Sequence, residues 1–265
     1  MRKLLVVIAA AMLLTAQSAA AAPPPPPKDP IWSGWVDTPV DKDHPVYYGI
    51  SAKWVQPAAT CNPPNRHGVH DEYASWVGLG KGLVDIEDWL VQIGVITSCG
   101  SVGEPNKPTY EIFWEAVDNS VSIDDIMPPQ HTSDYVHAGD QISAKVTSDN
   151  KGVWWVSLDV NGKNREEVQF TPNAAQKAQS TALLESYTAE VISESRATLQ
   201  QWPNFGSVTF TDIQVSIDPN AQPWVGFGTP TGALRSDAFT LSHKPATNTG
   251  PVDSTNSFTT TYVKP

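Results

Sequence analysis

The chain has 265 residues, of which 40% are hydrophobic and 17% charged, and a formal charge of −11. So acidic a protein offers no electrostatic footprint for nucleic acid or anionic lipid, and neither is expected as a partner. No stretch beyond residue 22 has the length and apolarity of a membrane span, so no membrane association is expected either.

The first segment reads as an export signal. Arg2 and Lys3 precede an apolar run from Leu4 to Leu14, and small residues follow from Ser18 to Ala22. Residues 1–22 are therefore expected to be removed, leaving a secreted protein, extracellular or periplasmic. Pro23 to Pro27 is an unbroken proline run, so 23–31 reads as an extended spacer. Residues 32–265 then form one domain, a length ordinary for a large β-sandwich.

Most of that domain reads as strands and turns. Val46 to Val55 is β-rich and stops before Pro57. Runs at 73–79, 89–97, 109–117, 141–147, 153–160, 206–215 and 239–241 read the same way, with Gly, Pro, Asn and Asp clusters between them. Val153 to Val160 followed by Asn161-Gly162 is the clearest hairpin signal. Many short strands without alternating helices predict an all-β sandwich or jelly roll. Residues 174–196 are rich in helix formers and pull the other way. The tail after Lys244, rich in Thr, Asn, Ser and Pro, reads as loosely held.

Two cysteines, Cys61 and Cys99, permit a single pairing. In an exported chain the default is a disulfide, and closing a loop of about 40 residues would stabilise by roughly 4 kcal/mol. Two free buried thiols are the competing reading. A catalytic cysteine is disfavoured, because neither has a basic residue beside it.

Two polar residues stand where strands should be apolar. Gln92 interrupts Leu90-Val91-Gln92-Ile93-Gly94-Val95, and Glu194 closes Ala189-Glu190-Val191-Ile192-Ser193-Glu194. A buried amide costs free energy unless it is hydrogen-bonded. Strand alternation puts Glu111, Phe113 and Glu115 on one face of their segment. It groups Leu90, Gln92, Gly94 and Ile96, and likewise Glu190, Ile192 and Glu194. If these faces line one sheet, they make a cleft with clustered carboxyls, whose proton affinities rise by mutual repulsion and burial. A carboxyl that keeps its proton in mild acid suits acid/base catalysis. The plain alternative is a solvated Glu on an edge strand and a satisfied structural Gln.

The order of motifs resembles the glutamic peptidase family, the eqolisins. Trp32-Ser33-Gly34-Trp35 resembles its N-terminal Trp-Gly element, and Ser75-Trp76-Val77-Gly78-Leu79 its Trp-Val-Gly strand. Leu90 to Gly94 resembles its Leu-Gln-Thr-Gly motif, and Tyr110-Glu111-Ile112-Phe113-Trp114-Glu115 its Tyr-x-x-Trp-x-Glu motif. Ala138 to Ile142 matches a Gly-Asp turn, Ala189 to Glu194 an Ala-Glu-x-Ile-x-Glu motif, and Phe205 to Phe210 a Phe-Gly-x-Val-x-Phe element. The matches run from about 32 to 215 and keep their order. The resemblance assigns Tyr187 to Glu194 to a strand, against its helix propensity.

The resemblance implies a concanavalin-like sandwich of two large antiparallel sheets, jelly-roll in type, and an acid-acting endopeptidase. Glu194 would activate a water and then protonate the leaving amine; Gln92 would orient the water and stabilise the oxyanion. Glu115 and Glu111 would be supporting carboxyls, with Trp76 and Phe113 in the substrate groove. Protein or peptide substrates, no metal, no cofactor and a monomeric state go with this reading. The chain departs from the pattern at Gly80, where the family has Asp, at Ile93, where it has Thr, and at Phe113, where it has Trp. The long pro-segment of fungal members is absent and no Asn-x-Ser/Thr sequon occurs, as in a bacterial-type member.

Three alternatives stand beside it. A glycoside hydrolase on the same sandwich would pair Glu115 with Glu194 but has no task for Gln92. A lectin-like carbohydrate binder would use the ten tryptophans. A catalytically weak family member would keep the fold. A metal site at His67, His70, Asp71 and Glu72 is disfavoured, because the helical His-Glu-x-x-His pattern is missing.

Overall fold

Strands account for every regular element that the computed structural model describes. The described residues are 32–39, 47–62, 71–80, 89–101, 104–118, 127–132, 135–172, 186, 188–194, 202–218, 224–226, 234–239 and 247–263. The leader, the proline spacer, residues 63–70 with His67 and His70, and the first half of the helix-prone segment lie outside them.

One sheet is ordered β13 (Leu234–Phe239), β1 (Trp32–Pro39), β10 (Thr188–Glu194), β3 (Glu72–Gly80), β4 (Trp89–Ser101), β5 (Glu104–Asp118) and β6 (Met127–Thr132). The other runs β14 (Thr247–Thr249), β15 (Phe258–Tyr262), β11 (Ser207–Ser216), β2 (Gly49–Val55), β7 (Gln141–Ser148), β8 (Trp154–Val160) and β9 (Lys163–Phe170). A two-residue strand, β12 (Val225–Gly226), pairs with β11 beside this second sheet. Neighbouring strands are antiparallel throughout, so the expected all-β sandwich of two large antiparallel sheets is the architecture found.

The core follows from alternation. Along β7 and β8 every second residue is buried, and these residues (Ile142, Ala144, Val146, Trp154, Val156 and Leu158) face the first sheet. That sheet answers with Val77, Val91, Ile93, Val95, Trp114 and Val191. The β8–β9 hairpin turns at Asn161 and Gly162, both with positive φ (53° and 71°), as the Asn-Gly signal predicts. The helix-prone segment yields to strand at β10, because its residues Val191 and Ile192 bury opposite faces of a ribbon clamped between β1 and β3.

The tail is not loose where it is described. Phe258 is buried against Phe210, with ring centroids 5.1 Å apart, and β15 pairs with β11 from Ser207↔Thr261 to Phe210↔Phe258. Its Thr-rich composition is that of a β-ladder with one wet face. Of the last expected strand, 239–241, Phe239 ends β13, and 240–241 lie outside the described residues.

Cys61 and Cys99 are bonded, with Cα atoms 5.7 Å apart and 38 residues of separation. Cys61 follows β2 of one sheet and Cys99 lies in β4 of the other, so the bond staples the two layers. Gln56 does the same without covalent chemistry. It is fully buried, accepts from Trp54 Nε1 (3.1 Å) and donates to the Tyr73 hydroxyl (3.3 Å) and Thr97 Oγ1 (3.1 Å).

Candidate active site

Register decides which side chains meet. β3 lies between β10 and β4, with β5 beyond β4. Glu190, Gly78, Gln92 and Glu115 therefore form one cross-strand row. The next row on the same face is Gly34, Ile192, Trp76, Gly94 and Phe113, and the one after it Glu194, Ala74, Ile96 and Glu111. The alternate residues of these strands fill the sandwich core, so all three rows look away from the second sheet. The three faces grouped by sequence alternation are one continuous face.

Its centre is apolar. Trp76, Phe113, Ile192, Ala74, Ile96, Leu90 and Val36 form a second, smaller buried cluster. Trp76 and Phe113 are 0% and 1% exposed, so they are a buried floor and not open groove walls. The Trp76 side chain lies low over the sheet because glycines leave it room. A Cβ on Gly94 would collide with the Ser75 carbonyl oxygen and stand 2.6 Å from Trp76 Cβ, and one on Gly78 would stand 3.0 Å from Trp76 Cζ3.

The polar groups flank this floor. Gln92 is 3% exposed and donates through Nε2 to Glu115 Oε1, itself in a buried side chain. A carboxylate accepts only, so the amino half of the amide must face it. That leaves the second N–H and the carbonyl oxygen for other work. The Gln92 oxygen is buried and accepts no hydrogen bond among the described residues. Trp76 Nε1 donates to Glu194 Oε2 at 2.9 Å, holding a half-buried carboxylate at the other side of the floor.

Gln92 and Glu194 are four residues and two strands apart, about 16 Å between Cα atoms on a flat sheet. Glu115 is one strand further from Glu194, about 20 Å Cα to Cα. Even extended, those carboxyls do not approach the roughly 5–9.5 Å that glycoside hydrolysis uses. Glu111 shares the Glu194 row but stands beyond Ala74 and Ile96.

Glu190 was not singled out by the sequence. It is 2% exposed, in the Gln92 row across Gly78, and accepts a 2.7 Å hydrogen bond from Thr188 Oγ1. Its motif is visible in the chain, but only the register reveals its row. Among the described residues no group of three or more His, Cys, Asp or Glu could hold a metal ion.

The chain is thus a two-sheet sandwich that carries a buried amide and several carboxyls on one outer face. Comparison with known families makes the assignment. Residues 30–262 match the model of the Peptidase A4 family, so the chain belongs to that family, the glutamic peptidases, and is an endopeptidase. Among solved structures it is similar to scytalido-glutamic peptidase with a transition state analog inhibitor. The identity is 17% and the TM-score 0.59, over 89% of this chain and 99% of that one. It is also similar to SCP-B, an eqolisin in complex with the tripeptide Ala-Ile-His, at 17% identity, TM-score 0.57 and the same coverage. A comparison with curated proteins finds no match.

Proposed function

We propose that the protein is a secreted, monomeric, acid-acting peptidase that cleaves protein or peptide substrates with Gln92, Glu194 and a water, without covalent intermediate, metal or cofactor. Neither nucleic acid nor membrane takes part. The substrate lies between the two side chains. Glu194 removes a proton from the water as it attacks the carbonyl, then returns a proton to the departing amine. The free N–H of Gln92 stabilises the oxyanion while its carbonyl oxygen orients the water. Glu115 holds the Gln92 amide in the required orientation, and Trp76 does the same for Glu194.

The observation that carries this reading is the Gln92 amide, pinned through one N–H by Glu115 and buried with its oxygen unengaged. Buried amides ordinarily have both ends hydrogen-bonded. The test is hydrolysis of an unfolded protein across about pH 2–7, with EDTA and pepstatin present, by the parent chain and by folded Glu194→Gln and Gln92→Ala variants. Acid-side cleavage that resists both inhibitors and is lost in both variants is the expected result. Full activity in either variant removes that residue from the pair.

A further inference from the structure

A cavity of about 740 Å³ opens on the outward face of the eight-stranded sheet, on the opposite layer from Gln92. Lys53, Val55, Gln141, Ser143, Asp159 and Thr209 contribute to its walls. Register makes it a surface of the sheet itself. Thr211, Lys53, Ser143 and Asp159 stand in one cross-strand row, with Val55 opposite Gln141 beside it. Four residues further along β8, about 13 Å away on the same face, Trp155 is 37% exposed.

The charges of this face limit what it can bind. β2 and β7 place two cations here, Lys53 and Lys145. Lys53 Nζ is paired with Asp212 Oδ2 at 2.6 Å, and Lys145 Nζ sits 4.7 Å from the Trp224 ring centroid. An anionic ligand therefore finds both of these cations already engaged. A purely apolar ligand would have to desolvate Asp159, Gln141 and a set of hydroxyls. The remaining chemistry is a carboxylate, an amide and Ser/Thr hydroxyls around an exposed Val55, with a flat indole further along. A ligand that matches it carries many hydroxyl groups and also has apolar ring faces.

We propose that this outward face binds a neutral oligosaccharide. Its hydroxyls bond Asp159, Gln141 and Ser143 in the cavity, and a later ring of the chain stacks on Trp155. The two sheets face away from each other, so a bound polysaccharide leaves the Gln92 face open to substrate. The site would hold the peptidase on a glycan-bearing surface while it works.

Isothermal titration of the full chain with cellohexaose, laminarihexaose and chitohexaose tests this. Saturable binding of at least one hexasaccharide is expected, weakened about tenfold in each of Asp159→Ala and Trp155→Ala. Both variants should keep the parental fold by circular dichroism and the parental rate of proteolysis. Gln92→Ala should bind the sugar normally. No saturable binding by any of the three overturns the proposal. So does binding that survives both substitutions on this face, or that is lost in Gln92→Ala, which would put the sugar in the peptidase face. Proteolysis and sugar binding are read separately, so the failure of one assignment is distinguishable from the failure of the other.

Discussion

Two buried glutamines serve the same sandwich in opposite ways. Gln56 is fully buried where the two sheets meet, with its oxygen accepting from Trp54 and its nitrogen donating to Tyr73 and Thr97. Every partner is a side chain of the sandwich; burial raises the pKa of the Tyr73 hydroxyl above its ordinary value, while its hydrogen bonds, those with Thr97 and Gln56 among them, act in the opposite sense. Gln92 is nearly as buried, but it spends one N–H on Glu115, and its oxygen accepts no hydrogen bond among the described residues. A satisfied buried amide contributes to stability, and an incompletely satisfied one costs stability. Burial alone does not distinguish the two amides; their hydrogen bonds among the described residues do.

Substitution at Gln92 or Glu194 should break the comparison most sharply on the activity side. Removing an oxyanion donor or a general base costs roughly 10²–10⁴-fold in kcat. The expected outcome for Gln92→Ala and Glu194→Gln is such a loss, with the urea midpoint of unfolding moved little. Next comes the disulfide. Cys61→Ser with Cys99→Ser, or reduction of the parent, should lower unfolding free energy by up to about 4 kcal/mol, read from urea denaturation. It should leave kcat of the folded fraction unchanged, because the bond staples sheets and does not touch the Gln92 face.

Gln56→Ala is the mirror of Gln92→Ala. It strands the Trp54, Tyr73 and Thr97 polar groups between the sheets, for a loss of about 2–3 kcal/mol. The same denaturation series should show that loss with kcat of the folded protein intact. If Gln56→Ala were instead to lower kcat while sparing stability, the division of labour between the two amides would be wrong. Glu190→Gln sharpens the contrast within the Gln92 face. Its carboxyl stands in the Gln92 row, so a change of charge there should shift the pH profile of kcat/KM, and the shift should be smaller than the loss from Glu194→Gln.

The fold was largely legible because a β-sandwich writes its own pattern. Alternation in Gln141–Ser148 and Trp154–Val160, and Asn161-Gly162 at the turn, predict strands, faces and hairpin from local chemistry. The helix-rich composition around residue 190 misleads, since pairing with β1 and β3 overrides propensity. The faces carrying Gln92, Glu115 and Glu194 were also legible, because alternation needs no register. Their rows were not. Which Glu of Ala189-Glu190-Val191-Ile192-Ser193-Glu194 stands opposite Gly78 depends on how β10, reached after a long stretch of chain, slots beside β3. Gln56 gave no signal, because it lies past the end of β2, next to Pro57, where a polar residue is ordinary.

The smallest expected effect concerns acid itself, the condition proposed for activity. Asp253 accepts hydrogen bonds from the Thr255 hydroxyl, the Thr255 amide and the Ser257 amide, closing the turn that leads into β15. Those bonds, that of the Thr255 hydroxyl first, lower its pKa from the ordinary 3.8. A carboxyl with a lowered folded-state pKa stabilises the fold above its ordinary titration range. It loses that contribution as pH falls through the lowered value. Asp253→Asn should therefore be slightly less stable than the parent near neutrality, and the two should converge at the acid end of the range. Urea midpoints of both proteins along a pH series give the answer. A gap that widens toward acid would mean that the turn is held by something other than the ionised carboxylate. The group is fully exposed, so the gap should be small beside the loss from Gln56→Ala. A protein working in acid can surrender such a surface contact, whereas the Gln56 network contains no carboxylate and keeps its hydrogen bonds at every pH where the Gln92 face would act.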